Sequence, residues 1–366
     1  MKFRLRHGWD SELGAPENSN LHCMFPGLTR MANGDLLALY VAGSDFESSD
    51  QLPYATFSPD DGKTWLAGKQ LFPEVALPSG GLFSCGCKPY CLDDKILALG
   101  YGFERHDLDI GLSEYAEKFG HFPKCRNFYC TSSDCGSSWS LPVYIEHEYK
   151  GIECSGPAIL DALGQLHFFG PPFVLRGEKQ RGLNFVAEPG TLNWQEQSCF
   201  FEHEHIAPWE CRACLLPNGR IWLVFWAYDL ANEKHLDNFL VYSDDHGRSW
   251  SNALDSGIAC QAANLLALPE HEDYMLMVGT RREGARPGIM LYLLNSHNGE
   301  CLAAEELLSM KGLCNKVGNI EAQFANLRFG QPSLTQLDKH DFLLCYWIKI
   351  DGKYRCKCHQ FTMSLP

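Results

Sequence analysis

Apolar and polar positions fall into a recurring unit along this chain: a half-apolar run, a polar turn, then a run that is apolar at nearly every position. The unit occurs six times: PGLTRMANGDLLALYV (26–41), KPYCLDDKILALGYG (88–102), GPAILDALGQLHFFG (156–170), CRACLLPNGRIWLVFWA (211–227), NLLALPEHEDYMLMVG (264–279) and QPSLTQLDKHDFLLCYW (331–347). A short apolar run bounded by turn residues reads as a strand buried on both faces, so each unit predicts a β-hairpin. Helical periodicity is almost absent. The exception is DIGLSEYAEKFG (109–120), a short helix or long loop inserted in the second repeat.

A second motif follows three of the hairpins. SPDDGKTW (58–65), SSDCGSSW (132–139) and SDDHGRSW (243–250) all read Ser-x-Asp-x-Gly-x-(Ser/Thr)-Trp without gaps. The Asp carboxylate (Asp60, Asp134, Asp245) can accept loop N–H groups, and the Gly (Gly62, Gly136, Gly247) supplies positive φ. The Trp packs its indole back on the sheet. Degenerate copies are expected at AEPGTLNW (187–194), which keeps Trp194, and at NSHNGECL (295–302), which keeps Gly299. Six four-stranded antiparallel repeats predict an all-β six-bladed β-propeller that spans 1–366 as one domain. The N-terminal strand around Lys2–His7 is available to complete the last sheet.

Composition narrows the function. The chain is 45% hydrophobic and 12% aromatic, ample for a packed core, and carries a formal charge of −14. That charge argues against nucleic acid or an anionic membrane as partner. No run of 18 apolar residues predicts a transmembrane helix, and MKFRLRHGWDSEL lacks the apolar stretch of a secretory signal. The 17 Cys are an odd number, so free thiols in a cytoplasmic protein are expected. No Cys spacing repeats in a metal-site pattern, so neither metal nor cofactor is expected.

Topology places the candidate chemistry. The start of a hairpin's first strand and the end of its second lie at one end, and the Asp motifs lie at the other. The funnel is therefore ringed by His22, Asp45 and Asp50 in blade 1, by Lys88, Tyr101, Glu104 and Arg105 in blade 2, and by Glu153 and Ser155 in blade 3. Blade 4 adds Trp209, Glu210, Arg212, Trp226 and Tyr228. Blades 5 and 6 add Gln261, Asn264, Arg281, Arg282, Glu321, Gln331, Tyr346 and Trp347. Aromatic faces stack on sugar rings, and carboxylates bind hydroxyls. Glycosidic cleavage needs two carboxylates: one protonates the leaving oxygen, and the other attacks the anomeric carbon or activates water.

The Asp motif on a six-bladed propeller resembles the sialidase superfamily, where it is called the Asp-box or BNR repeat, and the likeness covers almost the whole chain. The resemblance implies a carbohydrate partner, three arginines for a substrate carboxylate, a Tyr nucleophile with its Glu, and an acid Asp. Glu210, nine residues before Gly219, matches the Glu; Asp45 and Asp50 both match the acid; Arg281 matches the blade 5 arginine. Three elements depart. CMFP (23–26) puts Met24 at the first Arg, FWAY (225–228) replaces the blade 4 Arg, and GQPS (330–333) puts Gln331 at the Tyr.

Two classes of function follow. In one, the protein is a glycoside hydrolase other than an ordinary exo-sialidase. Its acid and its base or nucleophile come from Asp45, Asp50, Glu153 and Glu210. Its substrate is oriented by His22, Arg105, Arg212, Trp226, Tyr228, Arg281, Arg282 and Gln331. The fold also resembles an arabinan-active relative that uses two glutamates, which makes the Glu153–Glu210 pair relevant. Carboxyls about 5 Å apart imply retention, and ~6.5–9.5 Å implies inversion. In the other class, the protein is a non-catalytic glycan or protein binder, with every carboxylate paired and no acid of raised pKa. A third variant is a uronate lyase in which His22 or His205 acts with Tyr101.

Overall fold

A computed structural model describes residues 3–17, 19–78, 80–93, 95–107, 109–173, 177–284, 286–313, 320–324 and 326–365, with 321–322 described in backbone alone. The strands run in chain order as the hairpin pattern requires. After β1 (Arg4–Glu12), blade 1 holds β2 (His22–Arg30), β3 (Leu36–Gly43), β4 (Leu52–Ser58) and β5 (Lys69–Gln70). Blade 2 holds β6 (Leu82–Cys91), β7 (Ile96–Arg105), β8 (Cys125–Ser132) and β9 (Val143–Ile145). Blade 3 holds β10 (Ile159–Leu160), β11 (Leu166–Gly170), β12 (Gln180–Ala187) and β13 (Trp194–His203). Blade 4 holds β14 (Ile206–Leu215), β15 (Ile221–Asp229), β16 (Lys234–His235), β17 (Phe239–Ser243) and β18 (Leu254–Asp255). Blade 5 holds β19 (Gln261–Ala267), β20 (Tyr274–Arg281), β21 (Gly288–Asn295) and β22 (Cys301–Ser309). Blade 6 holds β23 (Phe329–Gln336), β24 (Asp341–Ile350) and β25 (Lys353–Ser364), and β1 pairs with β25 to complete it. The fold is a six-bladed β-propeller of antiparallel four-stranded blades, with the two-residue β16 added beside β15 in blade 4.

Blades 3, 4 and 5 belong to one compact unit and blades 1, 2 and 6 to the other. Within each, the apolar second strands are buried on both faces, as their unbroken apolar runs require. In β3, Leu36, Ala38 and Tyr40 pack with Leu343, Cys345 and Trp347 of blade 6, while Leu37 and Leu39 pack with Phe83 and Phe128 of blade 2. In β15, Trp222 and Val224 pack with Met275 and Met277 of blade 5, while Leu223 and Phe225 pack with Phe169 and Phe200 of blade 3. The period of two thus divides one strand between two cores.

The inserted segment 109–120 contains α1 (Leu112–Phe119), closed by Gly120 at φ 74° with its N–H on the Ala116 carbonyl at 2.8 Å. A shorter helix, α2, spans Ile320–Phe324. Among the described residues no helix is long and apolar enough to cross a membrane.

The three Asp turns have one geometry. Asp60 accepts the Thr64 N–H at 2.9 Å and the Thr64 hydroxyl at 2.8 Å, and the Ser58 hydroxyl accepts the Gly62 N–H at 2.7 Å. Asp134 and Asp245 take the same bonds from Ser138 and Ser249. Positive φ extends beyond the glycine: the residue before it is also left-handed, at Asp61 (61°), Cys135 (55°) and His246 (61°). The hydrogen bonds to Ser and Asp hold that second strained residue in place.

Candidate functional site

In four blades the first strand carries one residue more than its partner at the same point. Met24 and Gly27 oppose Val41 and Leu39, and Trp209 and Arg212 oppose Trp226 and Val224. Gln261 and Asn264 oppose Thr280 and Val278, and Gly330 and Ser333 oppose Trp347 and Cys345. Each is a β-bulge, and in each the residue after the last paired position is left-handed: Phe25 at φ 56°, Glu210 at 49°, Ala262 at 49° and Gln331 at 42°. None is glycine. Left-handed backbone costs such residues roughly 1–2 kcal/mol, and a bulge re-aims the side chain it carries.

In the unit of blades 3, 4 and 5, the bulge brings Glu210 to Glu153, which lies just ahead of β10. The Glu210 N–H faces Glu153 Oε2 at 3.4 Å. Burial, and then the charge of Glu210, push the Glu153 carboxyl up to about 8, against the opposing pull of the Glu210 N–H and Arg212. Arg212, 4% exposed, donates to the Ser155 hydroxyl and to the Cys211 carbonyl at 3.3 Å. Arg282, 2% exposed, donates to Gln261 Oε1 at 2.6 Å. Burial lowers its pKa to about 10, and the charge of Glu210 opposes that shift.

The neighbouring Arg281 turns away. It donates to the Arg286 carbonyl at 2.6 Å and pairs with Glu306 on β22 at 3.1 Å. Alternation along the chain separates two adjacent arginines in this way. Trp226 and Tyr228 are buried at 3% and 1% exposure. Trp209 stacks on Tyr228 at 4.8 Å and 16°, and meets Trp226 edge-on at 5.3 Å. His205 lies 3.9 Å from Asp229, whose carboxylate also caps the turn at Ala231 and Asn232.

In the unit of blades 1, 2 and 6, Asp45 and Asp50 share a loop but not an environment. Asp50 accepts the Ser44 N–H at 3.0 Å, the Ser44 hydroxyl at 3.1 Å and the Ser48 hydroxyl at 2.6 Å. Burial would raise it, but these donors together hold it below the usual carboxylate range. Asp45 is exposed and accepts the Phe46 N–H at 2.7 Å. His22 accepts the Tyr354 N–H at 3.2 Å; burial lowers its pKa, with the charge of Asp45 opposing. Arg105 is 1% exposed and spends its guanidinium on the carbonyls of Glu47 (3.0 Å), Ser48 (3.5 Å) and Ile110. Lys88 donates to the carbonyls of the blade 1 bulge, Phe25 at 2.6 Å and Pro26 at 3.0 Å, and reaches Gln331 Oε1 at 3.5 Å. Met24 is fully buried in the apolar core. The Glu321 side chain lies outside the described residues.

Sequence reading missed Glu47 and His235. Glu47 accepts the Ser113 N–H at 2.8 Å and hydroxyl at 2.7 Å, joining the Asp45 loop to the first turn of α1. Nothing local in either segment predicts that bond. Among the described residues, no group of three or more His, Cys, Asp or Glu side chains is arranged to hold a metal ion.

Solved structures share this architecture. A protein of unknown function from Dyadobacter fermentans matches with TM-score 0.75 and 18% identity, over 98% of this chain and 99% of its own. The Trypanosoma rangeli sialidase matches with TM-score 0.64 and 13% identity, over 96% of this chain and 59% of its own. The fold is sialidase-like. The NanB sialidase of Streptococcus pneumoniae, in its K499G form, matches with TM-score 0.60 and 12% identity, over 93% of this chain and 68% of its own. The chain thus spans about three fifths of the trypanosomal enzyme. No family model matches the sequence, and no curated protein matches it.

Chemically, the blade 3–5 cluster joins two carboxyls to two buried guanidinium groups. With the Glu153 carboxyl protonated at neutral pH, the four side chains combine a neutral acid, the Glu210 charge and two cations. That set can deliver a proton, support a positive centre and balance an anionic group.

Proposed function

We propose that this protein is a glycan-active hydrolase in which Glu153 is the general acid and Glu210 the base or nucleophile. One observation carries the reading: the Glu153 carboxyl, pushed up to about 8 beside Glu210. A general acid works best when its pKa lies near the working pH, so that it is protonated before the transition state and can release its proton within it. Burial and a neighbouring carboxylate are the physical means of reaching that state.

The proton on Glu153 passes to the glycosidic oxygen as the bond to the anomeric carbon breaks. Glu210 then either attacks that carbon or takes a proton from water on the opposite face. Arg212 and Arg282 balance the negative charge of Glu210 and of a carboxylate on the sugar. The trypanosomal relative has been solved with sialic acid; a terminal, acidic sugar is the substrate class proposed here. With Gln331 at the bulge of blade 6 and Met24 in the core, the chemistry rests on carboxylates rather than on a tyrosine nucleophile. A binding propeller with every carboxylate neutralised offers no acid of raised pKa, which is why the hydrolase reading is preferred.

The test is turnover of sialosides, uronides and neutral and arabinose-type glycosides by wild type, Glu153→Gln, Glu210→Gln and Asp45→Asn. Cleavage lost in both glutamate variants supports the reading. Silence of wild type across the panel, with ligand-induced stabilisation retained, shifts the reading to a binding propeller.

A further inference from the structure

Blade 3 departs from regular pairing just where it carries Glu153. Its first strand meets β11 and the residues after it at two places: Ile159 pairs with His167 in the β10–β11 ladder, and Ile152 bridges Pro172. Between those places the first strand takes seven steps where its partner takes five. Two extra residues must leave the ladder, and the segment that holds them runs from Glu153 to Ala158. A bulge of this kind interrupts pairing and re-aims the side chains it carries.

The bulge is held on two sides. On its own blade, the Glu153 N–H donates to the Pro171 carbonyl at 2.9 Å, and the Glu153 carbonyl lies on Gly170 at the end of β11. A Cβ at Gly170 would stand 2.7 Å from the Glu153 carbonyl carbon, so a side chain there must push the Glu153 main chain away. Towards blade 4, the buried Ser155 hydroxyl accepts from the Arg212 guanidinium. Beside it, a Cβ at Gly156 would meet the Cys211 carbonyl oxygen at 3.0 Å and Arg212 Cδ at 3.2 Å. The bulge therefore lies directly on β14. Glu153 and Glu210 each stand two residues before a partner of the Ser155–Arg212 bond, and there the Glu210 N–H faces Glu153 Oε2 at 3.4 Å. The two contacts run in step, Glu153 with Glu210 and Ser155 with Arg212.

We infer that Gly170 and Ser155 are positioning residues that hold the Glu153 carboxyl against the Glu210 N–H. Gly170 seats the Glu153 main chain, and Ser155 ties the bulge to β14 through Arg212. The inference rests on the hydrolase reading only for its effect on turnover; the placement of Glu153 stands on these contacts. Neither residue touches a reacting atom.

Two readouts separate the inference from that reading. The first follows the Glu210 amide proton across pH by NMR of the full-length protein. In wild type its shift is expected to change as Glu153 titrates, with a midpoint at about 8, and Glu153→Gln is expected to abolish that change. Gly170→Ala and Ser155→Ala are each expected to shrink it by about half or more, because a hydrogen bond weakens steeply as its geometry departs from the optimum. The midpoint is expected to move down, since a loosened bulge admits water to a carboxyl raised first by burial. Ser155→Thr keeps the hydroxyl and is expected to restore both. The second readout is turnover. On a substrate found for wild type, Gly170→Ala is expected to lower kcat by about tenfold to a hundredfold, as a misplaced catalytic group does, and to shift the upper limb of the pH–rate profile down with the midpoint. Should Gly170→Ala fail to fold, Ser155→Ala and its rescue by Ser155→Thr carry the test. A Glu210 amide that ignores Glu153 in wild type, or responds equally in wild type, Gly170→Ala and Ser155→Ala, overturns the inference. A response lost in the variants of a protein with no turnover on any substrate supports the inference and sinks the hydrolase reading instead.

Discussion

Glu153 and Asp134 are carboxyls in two contrasting regions of this molecule. Asp134 closes its turn by accepting the Ser138 hydroxyl and N–H, and those bonds bring it down to about 2. Glu153 is raised by burial and by the charge of Glu210, and stands at about 8. The Asp turns surround a carboxylate with donors and gain a fixed loop. At the bulge, burial and the Glu210 charge outweigh the Glu210 N–H and Arg212, and the carboxyl is pushed up instead. Within blade 1, Asp50 is likewise tied by Ser44 and Ser48, whereas Asp45 is exposed and its carboxylate accepts the Phe46 N–H. A carboxylate saturated with local donors is part of the scaffold. One that is desolvated beside another charge is ready for chemistry.

The contrast can be broken by mutation. The largest effect is expected at the bulge: Glu210→Gln and Glu153→Gln should each lower turnover by about 10²–10⁴-fold, Glu210→Gln with little change in melting. A fully active Glu210→Gln enzyme would remove that residue from the mechanism. At the Asp turns the expectation reverses. Asp60→Ala should cost about 1–3 kcal/mol of stability, read by denaturant unfolding, and leave activity per folded molecule unchanged.

Varying the pH sharpens the comparison. The folded Glu153 pKa of about 8 lies above the ordinary 4.5, so the folded state holds this proton more tightly than the unfolded state. The stability it contributes is complete below about 4.5 and is lost as pH rises through about 8. Glu153→Gln should therefore melt close to wild type at pH 4 and above it by a few degrees at pH 9. The activity of wild type should fall over the upper part of the same window, as the acid loses its proton. A pH–rate profile flat to pH 10 would remove Glu153 as the acid. The smallest effect belongs to Ala262→Gly. Relief of left-handed strain is offset by glycine's greater chain entropy and one lost buried methyl, leaving a change within about 1 kcal/mol.

The architecture was legible because its signals are local. The six hairpins and the turns at Asp60, Asp134 and Asp245 rest on residues close in sequence or on a period of two; 109–120 was open between helix and loop, and the N-terminal strand followed from the repeat count, which left the last sheet one strand short. The site was legible only as a set of strand ends. Glu153 and Glu210 were named as candidates together, yet so were Arg105, Trp226 and Tyr228, which the fold buries. The bulges were not legible at all, since Phe25, Glu210, Ala262 and Gln331 share no residue type that favours left-handed backbone.

By itself, then, the sequence determined six β-hairpin repeats with Asp turns, because hydrophobic period and short-range hydrogen bonding are written into neighbouring residues. Tertiary structure alone decided that Arg282 rather than Arg281 reaches Gln261, that Glu153 keeps its proton, and that His235 closes over Trp226. Each of those outcomes depends on burial and on groups that strand pairing and bulges bring together, not on adjacency in the sequence, and no local pattern encodes such neighbours.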